Sequence, residues 1–600
     1  MLASLLFRST STNRGIKVGS SSEAEKSEIV KPAGAPARPK GKMIWAVVIV
    51  VILIVAAVGI AWAAGLFGGD EGEKVLVIAM SSDVETMNPA QTSAMYGPPG
   101  MIYETLIGRD TTGAYVPALA ESWVLEDDPT NPTLSLTLKA GVKYHDGTDF
   151  NTTSVKRTIE WYCQNDSWVS YEFWALKNCP SYWGTTDYSG WPDIAMWCKD
   201  ETHMVLNLTW ADVALIFNMS HLYGSMIGPD ALWELGVEDY GTAQNWDKVV
   251  GTGPYMISEW IAGDHITLAK NENYTWGASW YENKGPAKID KIIYRIVPDA
   301  ATRFAGFESG AIDILQQVPP NKVEAYQDMD GVELMTGPGQ GIYHVEFNCN
   351  RSSGHDPWNN KDLRLAMAYS INRTQILQTV WHGVGEEGVN LLSPISPEGT
   401  GIPAEYNLTY DLAKAATHFT AAGFEDENDD GWLENVSSHE KLTLKLWVTN
   451  KAEDVAMGEI LLTQFENVGV DVTLTQYQET ELRTNAQRGL HEAILFWFSW
   501  PRAEILDWHF GSWAVGGSNT AYYADDVFDG YVANWTLAET EEAFTENATL
   551  AHIRLLQDAP RAPILFWHQI FAVHDYVKGW YLHPLGQEQV INIVDVDIDK

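Results

Sequence analysis

The longest uninterrupted apolar stretch of the chain runs from Met43 to Phe67, 25 residues without a charge. About 20 such residues suffice to cross a bilayer as a helix. The run is longer and further from the start than the apolar part of a cleaved secretory signal, so it predicts an uncleaved single-pass anchor. Lys31, Arg38, Lys40 and Lys42 precede it, and Asp70, Glu71 and Glu73 follow it. That asymmetry predicts a cytoplasmic N-terminus and an exterior main body. Residues 1–42, rich in Ser, Pro, Ala and Lys without apolar periodicity, read as a disordered cytoplasmic tail. Residues 68–74 read as a short flexible stalk.

Beyond the stalk the pattern alternates between two periods. "KVLVIAM" (74–80) is a short apolar run of the kind buried strands carry, and Leu134, Leu136 and Leu138 alternate before the turn at Asp146-Gly147. "NTTSVKRTIEWY" then opens a helix, with Asn151 or Thr152 placed to cap it. Leu363, Ala366, Met367 and Ile371 recur at helical spacing, and "DLAKAATHFTAAGF" (411–424) is a helix that stops at Gly423. "KLTLKLWVT", "EILLTQFENVGV" and "VDVTLTQY" follow as strand, helix and strand, the order of an α/β unit. No repeat of fixed period is present.

The 600 residues exceed what one hydrophobic core sustains, so more than one packed unit is expected. A net charge of −40 argues against nucleic acid as a partner, because phosphate binding needs clustered Lys and Arg. Cys163, Cys179 and Cys198 lie close together in sequence, so one local disulfide, of open pairing, is expected in an oxidising exterior. Eleven Asn-x-Ser/Thr sequons fit the same address and suit a glycosylated, salt-exposed, archaeal-like surface.

Candidate chemistry is sparse. Asp426, Asn428 and Asp430 occupy alternate positions before Gly431, as in the first half of a calcium loop, but Ser437 stands where the bidentate Glu would close it. An acidic solvated turn and a structural calcium site both remain open, and no other cofactor is expected. "TGPGQGIY" (336–343) lacks a phosphate-loop ending and reads as a bend between units. No His-Glu-x-x-His and no Gly-x-Ser-x-Gly occurs, so neither a zinc nor a serine hydrolase is supported.

Several phrases do fall into one order: "ETMNPA", "IYETLIG", "VPALAESW", "LKAGVKYHDGTDF", "VVGTGPYMISEW", "RFAGFESGAIDIL" and "NKDLRLAMAYSINRTQIL". Together they resemble the extracytoplasmic solute-binding proteins of ABC importers, in the peptide, oligopeptide and nickel family 5. The resemblance covers nearly all of 75–600. It implies an α/β fold of two lobes, the type II, cluster C clamshell, here joined to an N-terminal transmembrane helix. Lobe I would be 75–342 with a return segment 560–600, and lobe II 343–559. Ligand would sit between the lobes and favour their closure. The partners implied are a membrane permease, its ATPase subunits and a peptide or other small solute, the receptor itself acting as a monomer without catalytic activity.

The resemblance also implies a binding segment. In "FWFSWPRAE" Trp497 takes the position of a ligand-packing Trp, Ser499 that of a small residue, and Trp500 that of the Asp expected to pair with a ligand ammonium. Arg502 and Glu504 are the nearby charges, and Tyr96 and Tyr103 the first-lobe candidates. Residues alternate on a strand, so Phe496 and Phe498 would face the core if Trp497 faces the cleft. With the Asp displaced, oligosaccharides and other solutes stand beside peptides as ligands. An anchored surface hydrolase, or a sensor that binds without transport, are the readings from other classes.

Overall fold

The computed structural model describes residues 72–91, 97–110, 112–128, 130–163, 168–180, 190–350, 357–500, 502–582 and 593–600. The body of the protein is the unit Lys74–Lys600. One part of the expected fold class is corrected: the described residues hold no N-terminal transmembrane helix. Among the described residues no helix is long and apolar enough to cross a membrane, the longest, Glu541–Asp558, carrying charge along its length. The run 43–67 and the tail 1–42 lie outside the described residues.

Ten strands define the frame: β1 (Val75–Met80), β2 (Tyr255–Ile261), β3 (His265–Lys270), β4 (Lys291–Ile296), β5 (Ile314–Leu315), β6 (Val332–Phe347), β7 (Thr443–Thr449), β8 (Asp471–Tyr477), β9 (Ala493–Ser499) and β10 (Arg561–His574). They form one mixed sheet in the order β8-β7-β9-β6-β10-β5-β1-β4-β3-β2. Two hydrophobic cores hang on it. The first gathers side chains between Leu76 and Tyr294 and from Phe571 to Ile598. The second gathers them between Tyr343 and Leu565. Only β6 and β10 run through both halves, 16 and 14 residues long and antiparallel to each other, so they are the covalent bridge between the lobes.

The glycine-rich segment expected as a bend lies inside β6 instead. The ladder with β10 slips between Pro338 and Ile342. The reason is packing: a Cβ on Gly341 would fall 1.7 Å from the Trp567 ring, so glycine lets the indole lie on the strand. In the second lobe β7, β8 and β9 are parallel, with the helix Ala452–Glu466 crossing from β7 to β8. Their carboxyl ends share one edge, the place where α/β sheets of this kind take ligands. In the first lobe Asn151 caps the helix Thr152–Tyr162, accepting from Thr153 and Ser154 N–H while the Ser154 side chain closes a capping box. Such a cap contributes about 1 kcal/mol.

Candidate functional site

The carboxyl edge of the second lobe is built from aromatic rings and paired charges. Trp497 on β9 stands opposite Tyr343 on β6. It packs half-buried against the second core. Its ring meets Trp567 edge-on at 5.7 Å, and Tyr343 lies 5.2 Å from Trp567 and 5.7 Å from Trp381. Lys451 Nζ and Arg483 Cζ lie 5.7 and 5.9 Å from the Trp497 ring. Both cations pair with Glu479, at 2.9 and 3.1 Å. Burial pushes the Glu479 carboxyl up, but Lys451 and Arg483 outweigh it and hold the group below its ordinary value. Phe496 and Ile494 turn to the opposite face of the sheet, against Trp447 and Leu482, as strand alternation requires.

After β9 the chain stays in the second lobe but lines the face that meets the first. Ser499 ends the strand, opposite Gly341. Trp500 packs against the first core and lies 5.1 Å from the His221 ring. Arg502, 3% exposed, enters a cluster rather than an open cleft. It meets Glu541 at 3.1 Å, Glu398 at 3.3 Å and Glu504 at 3.7 Å, and donates across the lobes to the Tyr115 hydroxyl at 3.4 Å. Its guanidinium lies 5.3 Å from the Phe217 ring, and Arg109 approaches the same ring at 5.4 Å. Val213 of the first lobe packs into the second core, so the lobes are in contact here.

The carboxylates of this cluster are under-supplied with donors. The oxygens of Glu504 are buried and take no hydrogen bond from another residue among those described. Burial raises its carboxyl to about 7, with Arg502 opposing. Asp212, facing the cluster from the first lobe, is raised by burial to about 6.

The other candidates fall elsewhere. Tyr103 is fully buried in the first core, its hydroxyl 3.1 Å from that of Tyr240. Tyr96 lies outside the described residues. In the acidic loop Asp426 accepts from the N–H of Asp430 and Gly431, Asn428 accepts from Asp430 N–H, and Asp430 from Trp432 N–H. No group of three or more His, Cys, Asp or Glu able to hold a metal occurs among the described residues. Cys163 and Cys179 are buried with their thiols in contact, Cys198 donates to the Thr152 carbonyl, and no disulfide joins any two of the three. Glu398, Glu541, Trp381 and Trp567 escaped the sequence reading. No local pattern marks them, and tertiary folding alone brings them to β9.

The profile described as "Bacterial extracellular solute-binding proteins, family 5 Middle" matches residues 114–521. The chain therefore belongs to the family 5 extracellular solute-binding proteins. A dipeptide-binding protein of Pseudomonas aeruginosa is 24% identical, with 80% of this chain and 86% of that protein aligned. Heme-binding protein A of Haemophilus influenzae is 23% identical over 79% and 82%. Among solved structures, NikA of Brucella suis in complex with Fe(III)-EDTA superposes with a TM-score of 0.70 at 20% identity, covering 88% of this chain and all of that one. DppA of Helicobacter pylori in complex with the peptide STSA gives 0.65 at 20%, covering 88% and 98%.

Membership fixes the class. The protein is the substrate-binding component of an ABC import system, a receptor that delivers ligand to a permease and not an enzyme. Cognate permease and ATPase subunits and a small-molecule ligand follow from it, and an extracytoplasmic location is consistent with it.

Proposed function

We propose that the solute is a peptide, gripped between the lobes at the carboxyl edge of β7, β8 and β9. The observation that carries this is the company of Trp497: an aromatic face flanked by two cations and one carboxylate. Such a surface meets apolar side chains, a carboxylate and an ammonium within one short span, as a peptide requires. Relatives named for dipeptides and for glutathione support the choice. Trp497 and Trp567 supply the stacking faces, Ser499 the close approach at the strand end, and Trp500, Arg502 and Glu504 the wall where the second lobe meets the first.

In this reading the protein works as a monomer. Residues 75–342 and 560–600 form one lobe and 343–559 the other, turning about β6 and β10. Mass spectrometry of small molecules that co-purify with the protein tests it directly. Short peptides are expected, and a bound glycan or metal chelate in their place would overturn the assignment. Trp497→Ala should then weaken peptide binding by about 1–3 kcal/mol, the scale of a desolvated aromatic anchor, as read by isothermal titration.

A further inference from the structure

The cluster around Arg502, the wall of the site where the lobes meet, differs from the aromatic edge around Trp497. It is built from both lobes, its Arg502, its Glu398 and the oxygens of Glu504 are buried, and its charges do not balance. Arg109, Tyr115 and Asp212 come from the first lobe, and Glu398, Arg502, Glu504 and Glu541 from the second. Four carboxylates thus face two guanidinium groups. With all four ionised the junction holds surplus negative charge; Glu541, about half exposed, keeps water, but the buried and unpaired oxygens of Glu504 do not, and unpaired buried charge is costly. With Glu504 and Asp212 protonated, the two remaining carboxylates match the two arginines.

We propose that this cluster is a proton-dependent latch, which holds the cleft shut without ligand when Glu504 and Asp212 are neutral and lets it open when they ionise. The inference rests on the reading of the chain as a receptor that closes over its solute. Trp500 is the mechanical part of the latch, reaching from the end of β9 to His221 in the first lobe. The Arg502–Tyr115 hydrogen bond is its direct polar tie across the lobes.

The direction follows from which state binds protons. Opening returns both carboxylates to water, where Glu and Asp ionise near their ordinary values. Closing raises them to about 7 and about 6, chiefly by burial. Groups raised in the closed state favour closure at low pH, and that contribution is lost as pH rises through the raised values. Arg502 opposes the rise at both groups, while Glu398 and Glu541 add to it at Glu504 and Glu541 alone at Asp212. Arg109 and Tyr115 complete the charged and titratable wall from the first-lobe side, with His221 beneath Trp500.

Small-angle X-ray scattering of the ligand-free full-length protein between about pH 5 and about pH 8.5 tests this. The radius of gyration should be small at the acid end and grow as pH rises through about 6 and about 7. The open-to-closed ratio should change by up to about tenfold per pH unit for each proton released. Glu504→Gln should stay compact at the alkaline end, and Tyr115→Phe should open at lower pH than the natural protein. A radius that does not change with pH, or a Glu504→Gln variant with an unaltered profile, overturns the latch. Adding a defined pool of di- and tripeptides separates the two readings. Compaction by peptide at every pH with no pH response alone rejects the latch only. A pH response without any compaction by peptide keeps the latch and rejects the peptide reading.

Discussion

Two buried arginines flank β9, and their surroundings differ in a way that assigns them different work. Arg561, at the start of β10, lies wholly inside the second lobe. It grips Glu346 with two nitrogens at 2.5 and 2.6 Å, and both side chains are 1% exposed. His509 Nδ1 accepts from Arg561 Nη2 at 3.1 Å, and His344 lies nearby on β6. Here one cation meets one anion in close geometry, and only unfolding can hydrate them. Arg502 meets three carboxylates at 3.1–3.7 Å on a surface that two lobes share. Opening the cleft would hydrate these groups with both lobes still folded. A matched pair inside one lobe is therefore scaffold, and a mismatched cluster between lobes is a place where conformation can be tuned.

Breaking the scaffold pair should give the largest effect. Arg561→Met leaves Glu346 buried without its partner, which costs about 3–5 kcal/mol. Urea unfolding should show the midpoint falling by a corresponding amount with the slope unchanged. Arg502→Met removes a cation of equal burial, yet its unfolding midpoint should fall by less, because the stranded carboxylates regain water once the lobes part. If the two variants lose equal stability, the distinction between scaffold and junction fails.

Next in size is the response to acid. Burial, with Arg561 close by, holds His344 and His509 well below the ordinary histidine value. The unfolded chain therefore takes up protons on these groups that the folded chain refuses. Stability is retained above the unfolded value near 6.5 and lost as pH falls below it, at up to about 1.4 kcal/mol per pH unit for each histidine. Glu504 and Asp212 act in the opposite sense, disfavouring closure as pH rises. Global stability should thus decline on acidification while the cleft tightens. Urea midpoints at about pH 5.5 and about pH 7.5 check the first half, and His344→Phe should flatten the difference.

How far the molecule was legible beforehand depends on range. The helix cap at Asn151, the strands "KVLVIAM" and "KLTLKLWVT", and the helix ending before Gly423 rest on neighbours within a few residues. Propensity and spacing therefore sufficed. The glycines at 339 and 341 misled, because they answer to Trp567, some 226 residues downstream of Gly341. A bend and a close-packed strand need the same residue. At the site, Trp497 and Arg502 stood out within one aromatic segment, but Glu398 and Glu541 lie about 104 and 39 residues from Arg502. Nothing local in "SPISPEGT" or "LAETEEAF" separates those two carboxylates from the other acids of a strongly acidic chain.

The smallest effect sharpens the comparison at the ligand edge. Lys451, Glu479 and Arg483 are each roughly a third to a half exposed, so solvent screens their pairing and each contact contributes about 0.2–1 kcal/mol at most. A double-mutant cycle of Lys451→Ala and Glu479→Ala should therefore return a coupling within that range, well below the loss at Arg561. The same substitutions should act more strongly on binding than on folding, because a peptide entering beside Trp497 displaces water from these charges and strengthens them. Titration of a peptide against Lys451→Ala, set beside its urea midpoint, separates the two roles. A variant that loses stability in proportion to affinity would show that the edge is held together by its charges. A variant that loses affinity alone would show that the fold leaves these charges free for the ligand.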